Sequence, residues 1–219
     1  MIAAANGTAV PAVLTLQSLP LFPLAAVLFP DGLLSLRVFE VRYLDMINKC
    51  RKAGAPFGVV SLTQGSEVRQ PGMQEAFAQV GTLASIEDFE QPQPGLMLVR
   101  AVGAQRFRIT SSDQLKHGLW VADVERLPAD LAVPIPDDLK PAADALERLI
   151  QSLQLKPGNP GPMPLQPPWR LTDCGWVANR WCELLPLPVA LKQRLMELDN
   201  PLVRLELVSD VLTRTGIMS

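Results

Sequence analysis

A single histidine, His117, serves the whole chain of 219 residues, so any Ser-His-acid triad could draw on one position only. It stands in Lys116-His117-Gly118 ahead of Trp120, a polar turn signature whose simplest reading is a solvated side chain. The acidic pairs Glu87-Asp88 and Asp137-Asp138 are adjacent in sequence. Adjacent carboxylates point apart or cap a helix, whereas acid/base catalysis needs two of them set across a cleft. The pattern Gly-x-x-x-x-Gly-Lys-Ser/Thr is missing, so nothing cradles a nucleoside triphosphate in the usual way. Cys50, Cys174 and Cys182 are odd in number and scattered, which fits buried thiols better than a disulfide framework or a metal site. The chemistry left to the chain is non-covalent. No cofactor, metal or catalytic residue is expected.

The sharpest local motif is Phe39-Glu40-Val41-Arg42-Tyr43. One reading makes Phe39 an interior plug, with Glu40 and Arg42 in ion pairs around a helix start. The other sets Arg42 and Tyr43 on the border of a recognition groove. Arg37, Arg106 and Arg108 could together form a basic face, but no aromatic is interleaved with them, so nucleic acid is a weak expectation. Trp169 follows Pro167-Pro168 and is either a contact for a partner or filler in a core with Trp176 and Trp181. Arg37, Arg42, Tyr43 and Trp169 are therefore the candidate protein-binding residues.

Composition limits the classes further. Hydrophobic residues make up 48% and charged residues 19%, rich enough for a folded core. Twenty basic residues stand against 22 acidic ones, a net charge of −2, which gives no overall attraction to nucleic acid or an anionic membrane. The first Lys or Arg is Arg37, so the charged start of a signal peptide is missing. The apolar stretch at 19–30 is too short and too proline-broken to span a bilayer. The chain is expected to be cytoplasmic and without a membrane partner.

Positioning these residues falls to strands first and helices second. Residues 1–12 carry no pattern and are expected to fray. Strands are predicted at 16–23, 33–38, 57–62, 80–89, 96–104, 106–111 and 119–126, with Gly103-Ala104-Gln105 as a turn. One early helix is predicted at 40–52, with Val41, Leu44 and Ile47 inward, Arg42 outward and Gly54 as its cap. Residues 64–76 read as a surface loop. Near 127 prolines multiply and the period becomes helical, with helices at 137–154, 172–185, 188–199 and 201–215. Asp137 or Asp138, Thr172 or Asp173, and Asn200 are the expected caps. In the last helix Leu202, Leu205, Val208 and Leu212 should face inward, with Arg204 and Asp210 outward. A proline-rich loop at 156–168 separates the first two of these helices. The fold class is α+β: a small β-barrel over 13–126 and a helical bundle over 127–216.

The run Leu19-Pro-Leu-Phe-Pro-Leu, then Val27-Leu-Phe-Pro-x-Gly and Leu36-Arg-Val-Phe-Glu-x-Arg-Tyr43, resembles the opening of the Lon protease amino-terminal domain. Phe57-Gly-Val-Val60, Val80-Gly-Thr-Leu-Ala84 with Ile86, and Val102-Gly-Ala-Gln-Arg-Phe-Arg-Ile109 continue the likeness, and Leu184-Leu-Pro-Leu187 and Leu195-Met-Glu-Leu198 extend it into the helical half. Asp31 departs from it by replacing a common glycine. The resemblance implies a PUA-like barrel and a stand-alone, non-catalytic substrate-recognition module without ATPase or protease domains. Its partners would be unfolded or exposed apolar polypeptide segments, and a protease or chaperone alongside. The alternative is a small-ligand or RNA-binding module on the same barrel.

Overall fold

The computed structural model describes residues 14–67, 75–155 and 163–218. The fraying expected at 1–12 and parts of the two expected loops lie outside those residues. Seven strands and five α-helices make a mixed α+β fold: β1 (Thr15–Leu24), β2 (Leu33–Val38), α1 (Val41–Ala53), β3 (Phe57–Gln64), β4 (Ala76–Phe77), β5 (Val80–Gln93), β6 (Leu96–Gln114), β7 (Trp120–Arg126), α2 (Lys140–Leu155), α3 (Cys174–Leu184), α4 (Val189–Glu197) and α5 (Pro201–Arg214). No helix among the described residues is long and apolar enough to cross a membrane.

The pairings run β1-β7-β6-β5-β3 and return from β3 to β1, the last pair parallel and the others antiparallel. Leu21, Val60, Leu83 and Phe107 fill the space inside this ring of strands. Gly58 and Gly81 leave room for the Phe107 ring, since a Cβ on either would stand 2.8 and 2.6 Å from its Cζ. Among the described residues β2 pairs only with β6, over Leu33↔Val102 to Val38↔Met97. On β6 the alternation reads true: Met97, Val99 and Ala101 are buried while Arg100 is exposed.

β6 does not turn at Gly103. It runs on as one strand, and the glycine is needed because an added Cβ would lie 2.1 Å from the Phe29 carbonyl oxygen. α1 buries Ile47 and packs Leu44 against the core as its apolar spacing suggests, but Val41 points out. Arg42, Tyr43, Met46, Ile47 and Cys50 are buried, and Val41 is 73% exposed. Gly54 caps the helix in the left-handed region at φ 60°, as its lack of a Cβ allows.

In the carboxy-terminal part, α2, α3 and α5 bury Leu146, Val177, Trp181, Leu205 and Val208 together with Phe29 and Val80 from the strand region. The Asp173 side chain accepts from the Trp176 N–H, and Asn200 accepts from Leu202 and Val203, so both expected caps satisfy free amides at helix starts. Asp137 and Asp138 instead lie inside a short 3-10 turn that starts after Pro136. Arg204 is buried rather than outward: its guanidinium donates to Asp130, Asn179 and the Leu195 carbonyl.

Candidate functional site

A cavity of about 330 Å³ lies between β2 and the end of β1. Phe22, Leu24 and Ala26 line one wall, Leu34 through Glu40 the other, with Tyr43 and Glu67 completing it. The backbone explains the arrangement. The Asp31-Gly32 turn feeds β2 away from β1, and Asp31 takes the left-handed φ of 61°. A short polar side chain tolerates that conformation. Alternation then buries Leu36 and Val38 and leaves Ser35 and Arg37 exposed.

Phe39 is 57% exposed. The expectation of an interior plug is corrected: Tyr43 takes the interior place, stacked on Phe22 with ring centroids 4.0 Å apart and the Arg42 guanidinium 4.5 Å from its own ring centre. Burial first, with the nearby carboxylates of Glu75, Glu40 and Glu67 adding to it, raises the Tyr43 hydroxyl well above its ordinary range against the opposing Arg42 charge. It is a neutral, protonated wall of the cavity.

Arg42 is only 5% exposed. It reaches Glu40 at 3.1 Å, as the local ion-pair reading expects, and also Glu75 at 3.4 Å and the Gly118 carbonyl at 2.8 Å. It therefore fixes the wall behind Tyr43 and offers no free charge to a ligand. Arg37 is exposed on the rim and lies outside every ion pair formed among the described residues.

The basic face does not form. Arg108 and Arg37 are exposed, but Arg106 is buried and donates to the Met196 carbonyl at 2.8 Å and to Asp199 at 3.1 Å. The segment after α4 covers it. Trp169 is half-buried and sits edge-to-face with Trp176, centroids 6.2 Å apart, away from the cavity's lining. The structure thus brings Arg37 and Tyr43 together and leaves Arg42 behind them and Trp169 elsewhere. Phe39 and the Phe22-Leu24-Ala26 wall are the site residues that sequence reasoning missed.

A second cavity of about 420 Å³ lies where the strand and helical parts meet, lined by Asp31, Gln105, Arg106, Asp130, Arg170 and Trp176 among others. In its lining Arg170 pairs with Asp31 and Arg106 with Asp130, which Arg204 also engages, while Asp173 caps α3. The three thiols are buried, and burial pushes each upward, to about 12 for Cys182. Among the described residues no cluster of three His, Cys, Asp or Glu could hold a metal ion. His117 is exposed in the turn before β7.

Residues 18–214 match the family model of the ATP-dependent protease La (LON) substrate-binding domain. The Lon N-terminal domain protein from Xanthomonas campestris, seen in a crystal structure, is similar at 32% identity and a TM-score of 0.68, over 89% of this chain and 98% of that one. The N-terminal domain of the Mycobacterium avium complex Lon protease is 18% identical with a TM-score of 0.56, over 89% and 97%, a likeness of fold alone. No curated protein gives a significant match to the chain. With the family model spanning most of its length and a solved relative above 30% identity over nearly the whole of that relative, this chain belongs to the Lon substrate-binding domain family.

Proposed function

We propose that this chain is a non-catalytic recognition module that binds exposed apolar segments of unfolded polypeptide in the groove between β1 and β2, alongside a protease or chaperone in the cytoplasm. The observation that carries the reading is the groove itself: apolar walls from Phe22, Leu24, Leu34 and Leu36, and an exposed Phe39 at its rim. An exposed aromatic beside an apolar cleft extends the apolar surface that a ligand could cover. In this reading the ring of strands acts as a PUA-like barrel over 13–126, and residues 127–216 form a helical bundle that braces it. Family membership supports the substrate-recognition role, and the motifs for triphosphate binding and triad catalysis are missing from the sequence.

The test separates apolar from ionic recognition. Reduced, carboxymethylated lactalbumin and a labelled single-stranded RNA are titrated against the protein at low and moderate salt. An apolar groove holds the unfolded protein with little salt dependence. A complex resting on several phosphate contacts loses on the order of a thousandfold affinity over such a range. Tight RNA binding that collapses with salt, with no binding of the unfolded protein, overturns the reading. The junction cavity favours one other reading, a small polar ligand held among Asp31, Arg106, Asp130 and Arg170. Saturable binding of a small metabolite that Asp130→Asn abolishes would support it.

A further inference from the structure

We infer that the groove takes its client by strand addition: an extended polypeptide pairs its backbone with the open edge of β2. The inference rests on the recognition reading above and specifies how that site works. Among the described residues β2 is bonded on one side only, to β6. The Gly103 N–H donates to the Gly32 carbonyl at 2.9 Å, and the β2–β6 register continues without a shift from Leu33↔Val102 to Val38↔Met97. Alternation in an antiparallel pair then turns the amides of Leu34, Leu36 and Val38 toward β6, and those of Leu33, Ser35 and Arg37 away from it. Three donors and three acceptors repeat along that edge every two residues, about 7 Å apart.

The cavity lies along this edge and not over either face. It touches Leu34, Ser35, Leu36, Arg37 and Val38 in succession, and consecutive side chains point to opposite faces of a strand. Its far wall is Phe22 and Leu24 at the end of β1, with Ala26 in the bend that follows. A ligand meeting both walls needs donors and acceptors at the strand repeat and apolar groups at every second position. An extended polypeptide has both, and a nucleic acid or a small metabolite does not. Arg37 on the rim forms no ion pair among the described residues, while Glu40 is held by Arg42 and Glu67 accepts from the Ala25 N–H at 2.6 Å. The occupant is therefore an extended segment with apolar residues in alternation and a carboxylate on its outward face beside Arg37.

The experiment uses a short synthetic peptide that alternates valine with threonine and carries one glutamate. Two further forms are N-methylated on alternate backbone amides, one set in each parity. Strand addition uses one parity only, so one methylated form should lose about tenfold or more in affinity while the other stays near the parent, the size expected for removing one or two backbone hydrogen bonds. Parent and both methylated forms binding alike would overturn strand addition and leave the recognition reading intact. No binding of the parent would overturn both.

On the protein, Ser35→Pro removes an edge donor and keeps the bonds to β6. It should weaken the parent peptide by a similar factor with the thermal midpoint little changed. Unchanged binding by a folded Ser35→Pro protein counts against the inference. Sedimentation supplies the last outcome: a dimer that Ser35→Pro converts to monomer would mean that a second copy occupies the edge, and the client reading of that edge fails.

Discussion

Arg180 of α3 donates through Nη1 to the main-chain oxygen of Asp31 at 2.7 Å, across 149 positions of sequence. Its Nη2 does the same to Pro30 at 2.7 Å and reaches Glu183 at 2.9 Å. One buried guanidinium thus fixes the turn that sends β2 away from β1, and the groove depends on a helix it does not touch. Replacing it leaves two half-buried carbonyls and the half-buried Glu183 carboxylate without their shared donor. Arg180→Met should cost roughly 3–5 kcal/mol, the range for breaking a buried charged pair. Urea unfolding measures it, and a loss below about 1 kcal/mol would match a surface residue instead.

Glu183 beneath that turn gives a pH signature. Burial raises its carboxyl from 4.5 to about 7, against the Arg180 charge that works to lower it. A carboxyl raised in the folded state binds more protons there than in the unfolded chain between those two values. Its contribution to stability is then full below about pH 4.5 and is lost as pH rises toward 7. Across that window the native protein should lose on the order of 3 kcal/mol relative to Glu183→Gln. Parallel stability curves for the two proteins would show that the carboxyl titrates normally.

Phe39 and Phe107 make a matched pair, 57% and 0% exposed. Phe107→Ala should cost roughly 3–5 kcal/mol through lost burial and the cavity left behind. Phe39→Ala should change stability by less than about 0.5 kcal/mol and weaken binding of an unfolded client. Thermal melts and a client titration on the same two variants check both halves. A large stability loss at Phe39 would return it to the core.

Gly103→Ala is expected to destabilise by at least about 2 kcal/mol, because the new methyl meets a backbone oxygen that cannot step aside. A neutral result in the same unfolding assay would mean that Phe29 and its turn are freer than their contacts suggest.

The strands were largely legible because side-chain alternation is a local signal: β2 matches its expected span residue for residue, and β6 shows its buried and open faces in sequence. Gly103 was misread because a glycine needed for close backbone approach has the same letter as one needed for a turn. On α1 the inward Ile47 and Leu44 were legible, while the exposure of Val41 and the burial of Arg42 were not. Arg42 is buried through Glu40, Glu75 and Gly118, partners that lie up to 76 positions away. Arg106 and Arg204 were expected to face water for the same reason, and each is covered by carbonyls of the segment 195–198. Half of the groove was visible in Arg37 and Tyr43. The other half was not, because what makes Phe22 and Leu24 a wall is the missing pair between β1 and β2, a tertiary fact that no local pattern encodes.

The central claim, that unfolded polypeptide is recognised in the groove between β1 and β2, is tested most directly by amide and methyl NMR of the protein titrated with reduced, carboxymethylated lactalbumin fragments. Saturable shift changes should cluster on Phe22, Leu24, Leu34 through Phe39 and Tyr43, and Trp169 and the Arg106–Asp130 cavity should stay silent. Changes confined to that second cavity or to the Trp169 surface, or none at all with fragments in excess, would contradict it.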